Sequence, residues 1–87
     1  MERDAVIVNP LGMHARPAAQ IVRAAASFAA DVRLAKDGTE VNGKSIMGVM
    51  MLAAECGSTV TVRADGPDEA AAVAAICALI AGGFGEA

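Results

Sequence analysis

Two spacings of hydrophobic residues alternate along the chain, and each predicts one kind of secondary structure. From Pro17 to Phe28, apolar side chains recur every three or four residues, which is typical of an amphipathic helix. Around Val32 to Val41 and again around Thr59 to Arg63, apolar and polar residues alternate, which is typical of strands with one buried face. The pattern therefore predicts helices interleaved with strands.

Turn residues place the ends of the strands. Asp4–Val8 is a short apolar run that ends at Asn9-Pro10, and it predicts a buried first strand. Asp37-Gly38 lies between the second and third predicted strands. A two-residue turn of this composition is typical of a β-hairpin.

Capping residues place the two later helices. Ser45 is a suitable N-cap for a short helix that continues to about Ala54, with Gly57 placed to end it. Pro67 and the acids after it predict the start of a last helix, and Gly82-Gly83 predicts its end. We expect the residues from Gly83 onward to be frayed.

The predicted order is β-α-β-β-α-β-α, in a single domain that spans residues 1–87. A sheet with one apolar face needs a cover, and three amphipathic helices on that face give an α+β open-faced β-sandwich. We expect strand four to lie between strands one and two, which makes a four-stranded antiparallel sheet of order 1-4-2-3. The pattern alone leaves ferredoxin-like arrangements open.

Composition and charge exclude several classes of function. The chain is 55% hydrophobic, but its longest uncharged stretch, Ala70 to Gly85, is too short to span a bilayer and is interrupted by Gly82 and Gly83. The first residues lack the features of a secretion signal, so we expect a cytoplasmic protein with no membrane insertion. A net charge of −3 argues against nucleic-acid binding. Cys56 and Cys77 fit no metal or redox spacing, and we expect both to be free thiols.

The single histidine, His14, lies where a strand gives way to a helix. Pro17 favours a helix that begins within a residue or so of Arg16, because proline suits a first helical turn. The first-turn amides, the helix dipole and Arg16 would then form an anion site around the imidazole. From Ala5 to Ala30 the chain has no acid, which favours a locally positive face for acidic partners. A plain capping or turn role for His14 stays open on spacing alone.

Two segments resemble one known family. Gly12–Ala18 is very similar to the phosphorylation-site signature of HPr, the histidine phosphocarrier of the bacterial phosphoenolpyruvate-dependent phosphotransferase system. Lys44–Met50 resembles the family's regulatory serine region, at the expected separation, and the resemblance covers essentially the whole chain. Met13 replaces the usual leucine, which conserves volume. The resemblance also supports the sheet order given above.

The resemblance implies a function and its partners. His14 would accept a phosphoryl group at Nδ1 from phosphorylated enzyme I and pass it to enzyme IIA components, with Arg16 assisting. Composition alone favours a plain helix cap for Ser45. The resemblance adds a site of regulatory phosphorylation, with a serine kinase or phosphorylase as a further partner, and both roles can hold together. We expect a monomer that is a carrier and not a stand-alone enzyme, with no cofactor and no metal.

The predicted docking surface surrounds the histidine. The resemblance places one side of the second helix there, and methionine suits a surface that accepts several partner shapes. Val49 and Leu52 are expected to form the buried side of that helix. The residues predicted to contact partners are Pro17, Gln20, Arg23, Lys44, Ile46, Met47 and Met50.

Two other functions remain open at this point. One is a non-catalytic interaction or regulatory module of the same fold, and the tail from Gly82 to Glu86 resembles that of the family's nitrogen-regulatory paralogue. The other is a ferredoxin-like domain that binds a small molecule, in which loss of His14 would leave the activity intact. The sequence does not rank sugar uptake against regulation.

Overall fold

The computed structural model of the protein describes residues 1–86 and contains an antiparallel sheet with strand order β1-β4-β2-β3. The strands are β1 (Glu2–Val6), β2 (Asp31–Lys36), β3 (Thr39–Asn42) and β4 (Thr59–Asp65). The helices are α1 (Ala15–Ala26), α2 (Ile46–Met51) and α3 (Glu69–Ala81), followed by one turn of 3-10 helix at Gly83–Gly85. The predicted α+β class, element order and sheet order 1-4-2-3 are confirmed.

Alternation along β4 explains why the sheet has one covered face. Val60 and Val62 are fully buried, whereas the residue between them, Thr61, points to the other side, where its hydroxyl contacts the Asp4 carboxylate at 2.7 Å. On that open face Arg63 donates hydrogen bonds to the carboxylates of Glu2 and Glu40. The covered face meets α1, α2 and α3 in one hydrophobic core.

The hairpin between β2 and β3 has the predicted turn. Asp37 and Gly38 have φ values of 50° and 82°. Left-handed backbone at both central positions is the geometry of a type I′ turn, whose twist matches that of the paired strands.

The first strand differs from its predicted position. It was expected at Asp4–Val8 as a buried run, but β1 is Glu2–Val6, and four of its five residues are exposed. As an edge strand it pairs with β4 alone, so charged residues such as Glu2 can face solvent and contact Arg63. Ile7, directly after β1, supplies the buried apolar side chain.

The second helix is shorter than predicted, and Gly57 does not end it. α2 ends at Met51, and Ala53 adopts a left-handed φ of 50°. This turn brings Ala54 into the core, where its carbonyl oxygen accepts a hydrogen bond from the Met13 amide at 2.8 Å. The helix therefore ends early because the backbone after it turns to form the hydrogen bond between Ala54 and Met13, which lies in the loop before α1.

The segment after α3 is ordered through Glu86, so the prediction that it frays is wrong for the described residues; Ala87 lies outside them. Phe84 is 5% exposed and belongs to the core. Its carbonyl oxygen accepts a hydrogen bond from the Gln20 side chain at 3.2 Å. Burial of this aromatic ring explains why a glycine-rich segment holds a defined position.

Gly12→Ala is expected to lower the free energy of unfolding by about 2 kcal/mol or more, since strained φ values alone cost about 1–3 kcal/mol. Gly12 has a φ of +68°, and a Cβ there would lie 2.7 Å from the Ala54 carbonyl oxygen. Gly38→Ala is the matched control, because Gly38 has a φ of +82° and nothing within 4 Å of its Cβ position. Urea denaturation of both variants measures the difference, and equal losses would contradict the steric argument.

Candidate functional site

His14 is the N-cap residue of α1, so the helix begins where Pro17 and Arg16 predicted. Its carbonyl oxygen accepts the first helical hydrogen bond from Ala18 at 3.0 Å, while its side chain makes no capping bond. The amides of Ala15 and Arg16 lie in the first turn, where backbone donors lack an acceptor within the helix. The imidazole is thus free for another role at the positive end of the helix.

Glu86 lies against the imidazole, which the sequence did not predict. His14 Nε2 and Glu86 Oε2 are 2.7 Å apart, and the His14 side chain is 36% exposed. The site therefore holds an acidic group from the C-terminal segment as well as the predicted positive groups. The one signal in the sequence is Phe84, an aromatic residue in a glycine-rich tail that could anchor the chain.

Asn9 connects the loop before α1 to this carboxylate. It is 1% exposed, and its Nδ2 donates to the Gly12 carbonyl oxygen at 2.7 Å and to Glu86 Oε1 at 2.8 Å. The hydrogen bond from Asn9 lowers the pKa of Glu86, and the contact with His14 and the charge of Arg16 lower it further, against the effect of desolvation. Glu86 is therefore an anion at neutral pH.

Arg16 is exposed beside the tail. It borders an open cavity of about 500 Å³ whose other wall is formed by the segment from Phe84 to Glu86. A guanidinium in this position is accessible to an anion that approaches the start of α1, since it is not buried within the fold.

Ser45 caps α2 as predicted. Its Oγ accepts a hydrogen bond from the Gly48 amide at 3.1 Å. The capping role is therefore fulfilled in the unmodified protein.

The second helix exposes the predicted apolar side. Ile46, Met47 and Met50 are 45%, 75% and 41% exposed, whereas Val49 is fully buried. Leu52, directly after the helix, is also buried, so both predicted core residues are confirmed. The helix that carries these exposed side chains packs against α1.

Three of the predicted contact residues are engaged within the fold. Pro17 is fully buried in the first turn of α1, and its contact with a partner stays a prediction. Lys44 Nζ donates to the Phe28 carbonyl oxygen at 2.9 Å just beyond α1, and Gln20 donates to the Phe84 carbonyl oxygen. Arg23, in contrast, is exposed.

The remaining candidate groups lie elsewhere. Cys56 and Cys77 are free, as predicted, and burial raises the pKa of the Cys77 thiol. Within residues 1–86, no set of three or more His, Cys, Asp or Glu side chains is placed to hold a metal ion. Over the same residues, none of the helices has both the length and the apolar character to cross a bilayer.

The sheet order and the helices on one face define an open-faced α+β sandwich. The half-exposed imidazole of His14 gives this sandwich a site at the start of α1. A family model described as "PTS HPr component phosphorylation site" matches residues 1–82. The chain belongs to the PTS HPr family.

Individual relatives agree with the family model. The chain is 52% identical to "Phosphocarrier protein HPr" of Cupriavidus necator over 86 residues, 99% of this chain and 97% of that one. A crystal structure of HPr-C-His from Thermoanaerobacter tengcongensis aligns with a TM-score of 0.95 at 42% identity, covering 100% and 98% of the two chains. An HPr dimer from the same organism aligns with a TM-score of 0.80 at 45% identity over 84% of each chain.

Proposed function

We propose that this chain is a phosphocarrier of the phosphotransferase system. His14 accepts a phosphoryl group from phosphorylated enzyme I, which is charged by phosphoenolpyruvate, and passes it to an enzyme IIA component. The observation that carries this proposal is the half-exposed imidazole at the start of α1, in a chain of the PTS HPr family. The chain acts as one cytoplasmic domain and as a monomer.

The chemistry requires a nucleophile in line with the donor and positive groups around the moving charge. A lone pair of the His14 ring forms the new bond to phosphorus, while the bond to the donor breaks and leaves its electrons on the donor atom. Arg16 and the first-turn amides of α1 face the oxygens of the phosphoryl group and stabilise the charge that spreads over them.

Exposure suits a group that must be both acquired and released. The His14 side chain is 36% exposed and Arg16 is exposed, so donor and acceptor proteins can approach the same atoms in turn. A closed pocket would bind the phosphoryl group more tightly and slow its release.

The docking surface consists of the exposed residues Arg16, Arg23, Ile46, Met47 and Met50. Its arginines attract acidic partners and its flexible apolar side chains adapt to several shapes. Ser45, at the edge of this surface, is the site of regulatory phosphorylation by a serine kinase.

Incubation of the protein with phosphoenolpyruvate and enzyme I tests the proposal. We expect one phosphate per chain, labile in acid and stable in base, as is typical of phosphohistidine, and loss of this phosphate in a His14→Ala variant. Omission of enzyme I is the control. A folded protein that takes up no phosphate would favour the non-catalytic interaction module instead.

A further inference from the structure

The contact between His14 and Glu86 has a consequence for the imidazole. An ionised carboxylate can only accept hydrogen bonds, so a neutral ring that hydrogen-bonds to it must carry its proton on the bonded nitrogen. The bonded nitrogen is Nε2, at 2.7 Å from Glu86 Oε2. In this tautomer Nδ1 carries no proton and keeps its lone pair.

We propose that Glu86 is a positioning residue for phosphoryl transfer: it holds His14 with Nε2–H toward the C-terminal segment and leaves Nδ1 as the nucleophile. This inference rests on the proposed function, which it deepens by assigning a role to a residue 72 positions away from the histidine in the chain.

Glu86 is itself held in place by a hydrogen bond to its side chain and by contacts of Phe84 in the same segment. Its other carboxylate oxygen, Oε1, accepts from Asn9 at 2.8 Å, and Asn9 also donates to the Gly12 carbonyl oxygen just before the histidine. Two residues earlier, Phe84 is buried in the core and its carbonyl oxygen accepts from Gln20, on α1. The carboxylate is thus fixed relative to both the loop and the helix that carry the imidazole, as a positioning role requires.

Phosphoryl transfer to and from Nδ1 requires no movement of a proton. As Nδ1 bonds to phosphorus and the bond to the donor breaks, the ring keeps its Nε2 proton and gains a positive charge. The Glu86 carboxylate lies against that charge and stabilises it. When the phosphoryl group leaves for an acceptor, its bond to Nδ1 breaks, the electron pair returns to the ring, and the original tautomer is restored.

Glu86 also repels the negative phosphoryl group. This repulsion opposes the attraction between the carboxylate and the positively charged ring. Nδ1 and Nε2 point to different sides of the ring, so the carboxylate lies nearer to the ring charge than to a phosphoryl group on Nδ1. Coulomb energy falls with distance, and Arg16 adds a positive charge at the start of the same helix. We therefore expect the attraction to exceed the repulsion.

Glu86→Gln tests the inference with little change in shape. A glutamine amide both donates and accepts, so it can bond to either form of Nε2 and no longer selects one tautomer. We expect ring nitrogen-15 chemical shifts to show a smaller fraction of the Nε2–H form. We expect transfer from enzyme I to slow about tenfold, by analogy with the lower range for loss of a group that orients a metal-bound histidine. The shifts need no assignment, since His14 is the only histidine.

Asp65→Asn is the matched control for loss of one negative charge. Asp65 is exposed at the end of β4. The next residue, Gly66, lies against Ala30, which follows the C-terminal end of α1, whereas His14 lies at the N-terminal end of that helix. We expect this variant to keep the wild-type tautomer and transfer rate. Thermal melting of both variants checks that the fold is retained.

The two proposals fail in different ways. If the wild-type protein takes no phosphate from phosphorylated enzyme I, the proposed function is wrong. If the wild-type protein is phosphorylated but Glu86→Gln transfers at the same rate or faster, or keeps the wild-type tautomer, Glu86 is not a positioning residue. Coupling between phosphorus-31 and nitrogen-15 in the phosphoprotein must identify Nδ1, and phosphorus on Nε2 would also overturn the inference.

Discussion

Replacement of Arg16 by alanine is expected to slow phosphoryl transfer about a hundredfold, the lower range for removal of one preorganised group that stabilises transition-state charge. Arg16 is exposed in the first turn of α1, two residues after His14. Its guanidinium can offer two parallel hydrogen bonds to a phosphoryl group, which a lysine cannot reproduce. Because the side chain is not part of the core, we expect stability to change little.

Arg23→Ala is the matched control for this prediction. Arg23 is an exposed arginine of the same helix, seven residues further on, or about 10 Å along the axis at 1.5 Å per residue. Its loss is expected to weaken docking with enzyme I but to leave the single-turnover rate at saturation unchanged. Rapid-quench measurements separate the two quantities. A wild-type single-turnover rate for Arg16→Ala would remove Arg16 from the site.

Phosphorylation of Ser45 is expected to reduce transfer from enzyme I about a hundredfold, because like charges brought together at an interface cost several kcal/mol. The phosphate adds about −1.5 to −2 charges at pH 7. Ser45 precedes the exposed Ile46 and Met47, so this charge lies at the edge of the docking surface and repels acidic partners. The same charge lies at the start of α2 and stabilises that helix.

Three variants at position 45 make the test quantitative. Genetic incorporation of phosphoserine gives the fully charged form, and Ser45→Asp, with a smaller charge, should give a partial effect. Ser45→Ala should transfer normally and lose about 1 kcal/mol of stability, because Oγ no longer accepts from the Gly48 amide. Titration calorimetry with enzyme I measures docking directly. If phosphoserine at position 45 binds and transfers like serine, Ser45 is a helix cap and nothing more.

Local patterns predicted most of the fold because one physical cause dominates each element. The alternation of apolar and polar residues predicted β4, and the spacing of apolar residues by three and four predicted α1. The pair Asp37-Gly38 predicted the hairpin turn. The errors came where two causes compete. β1 begins at Glu2, ahead of the predicted apolar run, and Glu2 forms a cross-strand hydrogen bond with Arg63. After α2 the backbone leaves the helical conformation, and Ala54 is buried in the core.

The site was predictable only in its local part. His14 and Arg16 lie in one turn whose geometry follows from Pro17, so the sequence alone could place them at the start of a helix. The contact with Glu86 depends on where the whole sheet and α3 bring the end of the chain. Tertiary packing of this kind leaves no periodic signal, and the buried Phe84 was the single local indication of it.

The six residues of α2 make fewer than two turns, far below the length at which a helix is stable in isolation. Within the helix only Val49 is buried, so few contacts oppose its local opening. Amide protons of Met50 and Met51 should therefore exchange with solvent at a lower protection factor than those of β4, without unfolding of the sheet. A partner that binds here meets a backbone that can change shape, and part of its binding energy is spent on ordering that backbone.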